Sequence, residues 1–90
     1  MIGRQIFYSG YVQGVGFRYT TRHIAKGYEV VGWVKNLPDG RVEMQVTGEP
    51  EEVRAFLAAM QESELGSLIK NTEEHEIPPL TDAKGFDIAF

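Results

Sequence analysis

The sequence contains no cysteine, which excludes disulfide staples, a thiolate nucleophile and any thiolate-based zinc or iron–sulfur site. Nothing calls for an oxidising compartment, and the cytoplasm is the expected location. Histidine occurs only at His23 and His75, on different expected elements and without metal-ligand spacing, so both are read as surface or helix residues and no metal site is expected. Basic charge is also scarce: nine Lys plus Arg stand against thirteen Asp plus Glu, a net charge of −4. Such a chain has no general attraction for nucleic acid or an anionic membrane, so any anion must be bound locally. No apolar run is long enough to span a membrane, and Met1-Ile2-Gly3-Arg4-Gln5-Ile6-Phe7-Tyr8 lacks the apolar core of a signal peptide. With 90 residues, two independent cores cannot be built, so one domain over 1–90 is expected. A composition of 42% hydrophobic and 24% charged residues belongs to a folded globule. A monomer is expected.

What is present is a clear periodicity. Gln5 to Val12 is rich in β-branched and aromatic residues, with Ile6, Tyr8 and Val12 on one parity, which predicts a strand. Gly14-Val15-Gly16 interrupts it, and Phe17 to Ala25 suits a helix with Phe17, Thr21, Ile24, Ala25 and Tyr28 on one face. Val30 to Leu37 is again β-rich, and Pro38-Asp39-Gly40 is turn chemistry before the alternating Val42, Met44 and Val46. Pro50, Glu51 and Glu52 open a second helix, whose Val53, Phe56, Leu57 and Met60 follow the i, i+3, i+4, i+7 rule. Ser67 to Glu76 gives a weak strand signal, Pro78-Pro79 a break, and Phe86 to Phe90 a terminal strand. The order is βαββαβ with a terminal strand, the ferredoxin-like α+β arrangement of an antiparallel sheet with two helices on one face. Trp33 and Phe56 are expected in its core.

The chemistry concentrates between the first strand and the first helix. Glycines there let successive backbone N–H groups turn toward one point, a concavity that holds an oxyanion. Arg18 falls in the first helical turn, where a cation faces the positive end of the dipole at a cost of roughly 0.3–1 kcal/mol unless an anion lies between. Its guanidinium fork matches phosphate oxygens, so the constellation favours a phosphate cradle. The alternative is a glycine-rich turn followed by a solvated arginine.

Gly10-x-Val12-Gln13-Gly14-Val15-Gly16-Phe17-Arg18 resembles the phosphate-loop motif of the acylphosphatase family. Gly32-Trp33-Val34-Lys35-Asn36, followed by Gly40, Val42 and Gly48, is similar to the family's second signature. The resemblance is firm from Gln5 to Gly48 and rests beyond that on the second helix and on Phe86-x-Ile88. It implies a metal-independent hydrolase without cofactor, which splits the carboxyl–phosphate anhydride of a small-molecule acyl phosphate into a carboxylate and inorganic phosphate. Inorganic phosphate, the product, is then expected to inhibit. Carried over by position, the resemblance implies that Arg18 and the backbone N–H groups of Gln13, Gly14, Val15, Gly16, Phe17 and Arg18 bind the phosphoryl group. Asn36 would orient the attacking water. Two positions depart from the family pattern: Tyr8 replaces a commoner aliphatic residue, and Glu29 stands near the end of the first helix where glycine is frequent. A left-handed Glu29 would cost roughly 1 kcal/mol.

So small a set of groups suffices chemically, since phosphoryl transfer asks for positioning and charge stabilisation, and a carboxylate leaves without being protonated. Asn36 is too weak a base to take a proton outright, but its amide can accept a water hydrogen and aim the oxygen. A plain turn residue is the other reading of Asn36. Glu51-Glu52 and Glu73-Glu74-Glu76 are read as solvated faces, and Arg4, Arg22 and Lys35 as exposed. Two alternatives remain open at this level. One is a non-catalytic phosphate- or RNA-binding ferredoxin-like module, although Arg41 to Thr47 offers no aromatic residue for base stacking. The other is a carbamoyl-phosphate-handling module like the N-terminal domain of hydrogenase-maturation proteins, of which 90 residues would be a part.

Overall fold

The computed structural model describes residues 1–90. Its elements run β1 (Ile2–Gly10), α1 (Phe17–Ala25), β2 (Val30–Asn36), β3 (Val42–Gly48), α2 (Pro50–Glu62), a 3₁₀ turn over Glu64–Ser67, β4 (Ile69–Ile77) and β5 (Phe86–Ile88). The sheet order is β4-β1-β3-β2-β5. Through β4-β1-β3-β2 every neighbour is antiparallel, with β1 and β2 both laid along β3 from Gly48 to Val42. The terminal strand differs: β5 joins β2 in parallel, from Gly32↔Phe86 to Val34↔Ile88, so the sheet is mixed. The direction follows from the path. β4 runs opposite to β2, and residues 78–85 carry the chain across the sheet end where β2 begins. That crossing is tethered by the Leu80 N–H to Thr47 Oγ1 at 2.9 Å and by the Gly32 N–H to the Gly85 carbonyl at 2.9 Å. No helix is long and apolar enough to cross a membrane.

Both helices turn their apolar stripes to one face of the sheet, and a single cluster of 14 buried residues results. Val42, Met44 and Val46 of β3 alternate inward as expected, against Phe17 and Ala25 of α1 and Val53, Phe56 and Met60 of α2. Phe56 is fully buried, its ring 6.1 Å from Tyr28 and 5.6 Å from Phe86 between centroids. Burying a side chain of this size contributes roughly 1.5–3 kcal/mol. Tyr8 and Phe17 pack 5.5 Å apart and fasten β1 to the start of α1. Burial, and secondly the charge of Glu74, push the Tyr8 phenol well above the usual tyrosine range.

Trp33 is not a core residue. Val30, Gly32 and Val34 are the buried positions of β2, so Trp33 stands half-buried on the opposite face, with Lys35 Nζ 5.6 Å from its ring. Glu29 avoids the left-handed region, since positive φ is confined to glycines, and its N–H instead donates to Glu52 Oε1 of α2 at 2.8 Å. β4 is an edge strand exposed along nearly its whole length, which explains its weak sequence pattern. It is held by the backbone ladder to β1 and by Arg4, which pairs with Glu74 at 3.2 Å and Glu76 at 3.6 Å. The acidic run is therefore partly neutralised, and Glu73 meets His75. A bulge at Ser9/Gly10 shifts the register before the last pair, Gly10↔Ile69, and only glycine fits there: a Cβ on Gly10 would come within 2.4 Å of the Leu68 carbonyl oxygen.

Candidate active site

The bulge turns the chain out of the sheet into the segment that reaches α1 at Phe17. Gly14 and Gly16 both hold φ 76°, and Gly16 is the N-cap of α1. A Cβ at either position would meet no atom within 4 Å, so the need for glycine is conformational rather than steric. None of the backbone N–H groups of residues 13–19 donates to a backbone acceptor; helical bonding begins only at the Thr20 N–H, 3.0 Å from the Gly16 carbonyl. Free N–H groups at a helix start form an anion-binding concavity. The first turn of α1 carries no acidic residue, so nothing on the helix offsets its positive end.

Arg18 stands in that first turn, half-buried and without a carboxylate partner. Its guanidinium lies 5.0 Å from the centroid of the Phe90 ring. Asn36 approaches from β2, of which it is the last residue, opposite Val42. The hairpin beyond it is closed by its own hydrogen bonds. The Leu37 N–H donates to the Arg41 carbonyl at 2.8 Å, and the Gly40 N–H to the Leu37 carbonyl at 3.1 Å. Asp39 accepts from the Arg41 N–H at 3.0 Å and from Arg41 Nε at 2.8 Å, bonds that hold its carboxyl below the usual range. The Arg41 guanidinium in turn covers Phe7 at 4.6 Å.

Arg18, Asn36, Gly14, Gly16 and Phe17 meet around one cleft of about 90 Å³, closed by Val12 and Tyr19. Sequence reasoning did not single out Tyr19; its adjacency to Arg18 in the first helical turn was the available signal. Gln13 and Val15 send their side chains elsewhere. Val15 is exposed at the tip, and Gln13 Nε2 donates to the Leu37 and Arg41 carbonyls at 2.8 and 2.9 Å. Larger hollows, of about 480 Å³ beside Trp33 and Leu80 and about 390 Å³ beside Tyr28 and Phe86, contain neither the glycine turn nor Asn36. Nowhere do three His, Asp or Glu side chains converge.

The cleft thus offers backbone donors, one guanidinium and one carboxamide, a set that can bind a phosphoryl group and orient a water. The family model for acylphosphatase matches residues 4–88. A curated acylphosphatase of Listeria welshimeri is 43% identical over 83 residues, covering 91% of this chain and 89% of its own. Another, of Archaeoglobus fulgidus, is 38% identical over the full length of both. The crystal structure of acylphosphatase from Bacillus subtilis superposes with a TM-score of 0.89 at 33% identity, each chain wholly covered. The match runs from the first strand to the last, and this chain belongs to the acylphosphatase family.

Proposed function

We propose that this protein is an acylphosphatase in which residues 1–90 form one catalytic unit, hydrolysing small-molecule acyl phosphates by means of Arg18, the Gln13–Arg18 loop and Asn36. The observation that carries the reading is the pair of left-handed glycines, Gly14 and Gly16, which leaves a row of unpaired N–H groups beside Arg18 and within reach of Asn36. The phosphoryl oxygens accept from these N–H groups and from the guanidinium, which disperses their charge in a loose transition state. Asn36 accepts one hydrogen of a water and turns its oxygen toward phosphorus. The new P–O bond forms as the anhydride P–O bond breaks. The bonding pair leaves with the carboxylate, which needs no proton, and the water proton passes to solvent.

This division of labour favours anhydrides over phosphate monoesters, whose alkoxide leaving group would require a general acid, and neither a carboxylic acid nor an imidazole lines the cleft. Inorganic phosphate fits the same donors and acts as a product inhibitor. The face of β3 turned away from the helices carries Glu43 and Gln45, which with the net charge of −4 supports a protein that binds no nucleic acid and no membrane. The absence of cysteine supports a cytoplasmic protein, working as a monomer because one chain supplies every group. The test is phosphate release from a model acyl phosphate in the presence of EDTA, with a phosphate monoester as control. Turnover of the acyl phosphate alone is expected. Activity that disappears with chelator and returns with Mg²⁺ would overturn the mechanism.

A further inference from the structure

The phosphate loop follows β1, whereas Asn36 ends β2, and β3 lies between those strands. Two strand spacings separate the two halves of the site, roughly 10 Å. No backbone hydrogen bond joins the loop to the hairpin beyond Asn36; the loop's own tie to the sheet, from the Tyr11 N–H to the Leu68 carbonyl, runs toward β4 instead. The sole hydrogen-bonded link is the Gln13 side chain. Its Nε2 uses both hydrogens, one to the Leu37 carbonyl at 2.8 Å and one to the Arg41 carbonyl at 2.9 Å. Those carbonyls flank the hairpin mouth, and Leu37 is the residue after Asn36. The Arg41 carbonyl also receives the Leu37 N–H at 2.8 Å, so one acceptor fixes both the hairpin and the strut.

We propose that the Gln13 carboxamide is a positioning residue, which sets the separation between the phosphate loop and Asn36 and so acts on the chemical step through the water that Asn36 orients. This rests on the reading of Asn36 given above. Gln13 thereby has two separate roles: its backbone N–H belongs to the anion-binding row, while its side chain points away and ties that row to the opposite half of the site. Residues with the same length but no N–H pair cannot replace it, because both carbonyls would lose a partner and the hairpin could drift from the loop.

Gln13→Met preserves length and removes both donors. A misplacement of about 1 Å at a reacting centre costs up to roughly 100-fold, so kcat should fall by about 10- to 100-fold while KM and phosphate affinity stay within about twofold. In an Asn36→Ala background the same change should alter kcat by less than about twofold, since the group it positions is gone. Losses that multiply in the double variant, or a Gln13→Met enzyme with wild-type kcat, would overturn the proposal. Asn36→Ala at the wild-type rate would instead remove the water-orienting reading itself, a different result. Should Gln13→Met fail to fold, Gln13→Glu gives a second readout. A protonated carboxyl can donate one hydrogen bond and a carboxylate none, so its kcat should rise as pH falls through the carboxyl range, relative to wild type. A parallel pH profile would count against the strut.

Discussion

Arg18 rests against an aromatic ring and not against a carboxylate: its guanidinium carbon is 5.0 Å from the centroid of Phe90. The difference matters for an anion site. A carboxylate partner would neutralise the cation and compete with phosphate, whereas a ring restricts the side chain and leaves its charge available. An exposed cation–π contact contributes about 0.5–1 kcal/mol, which corresponds to roughly 2- to 5-fold in affinity. Phe90→Ala should therefore raise KM and the phosphate Kd by about that factor and leave kcat nearly unchanged. Unaltered phosphate affinity would mean that the ring does not hold Arg18 in its binding position.

Arg18→Ala and Asn36→Ala should differ in kind. In the proposed mechanism Arg18 touches the phosphoryl group before and during the reaction, so its loss should remove both binding and turnover, with more than about 3 kcal/mol of transition-state stabilisation at stake. Asn36 is proposed to act on the water alone, so Asn36→Ala should lower kcat strongly while phosphate affinity stays within a few fold. Steady-state kinetics with phosphate as competitor separates the cases. Equal loss of phosphate affinity in both would make Asn36 a binding residue.

Two glycines should respond differently to alanine, although both have positive φ. At Gly14 (φ 76°) the added methyl meets no atom within 4 Å, so the penalty is the left-handed backbone alone, about 1–2 kcal/mol. At Gly32 (φ 153°) it would lie 1.9 Å from the Gln45 carbonyl oxygen on the neighbouring strand, and β2 and β3 would have to separate. Gly32→Ala should cost more than about 4 kcal/mol, at the far end of single-residue effects. Urea unfolding gives both values, and a Gly14→Ala cost equal to that of Gly32→Ala would contradict the geometry.

Stability at high pH should depend on Tyr8. Its folded phenol is held above the ordinary value near 10 by burial and then by Glu74. The unfolded chain ionises first, so this contribution is complete below about pH 10 and is lost as pH rises beyond it. Tyr8→Phe should flatten the decline of the urea midpoint above about pH 10 relative to wild type. An unchanged slope would show that another group governs the alkaline limb.

Much of this was readable from residue order alone, for a physical reason in each case. The alternation of Val42, Met44 and Val46 and the spacing of Val53, Phe56 and Met60 name their faces because one side of each element is dry. Gly14 and Gly16 mark the loop because its left-handed backbone angles disfavour every residue with a Cβ. β4 was faint because an edge strand wet along its length has no face to encode, and the parallel entry of β5 depends on the crossing at 78–85, which no periodicity records. Residue type alone puts Trp33 in the core, whereas the parity set by Val30, Gly32 and Val34 turns it to the opposite face. The Gln13 side-chain bonds span 24 and 28 residues, a pairing invisible to local pattern.

The anion-binding row can be tested without any substrate. If the N–H groups of residues 13–18 are set in place before a ligand arrives, inorganic phosphate binds the folded state alone and raises its stability. At ten times its dissociation constant the gain is about 1.4 kcal/mol, from RT ln(1 + [L]/Kd). Each kcal/mol moves Tm by roughly 4–8 °C in a domain of this size, so the shift is large enough to read. Chloride at matched ionic strength is the control, because screening also acts on a chain of net charge −4. Arg18→Ala should lose most of the phosphate-specific shift, and Asn36→Ala should keep it. Wild-type protein that gains nothing beyond chloride at tens of millimolar phosphate would leave the row of N–H groups without a ligand, and Arg18 without the anion that justifies a cation at the positive end of α1.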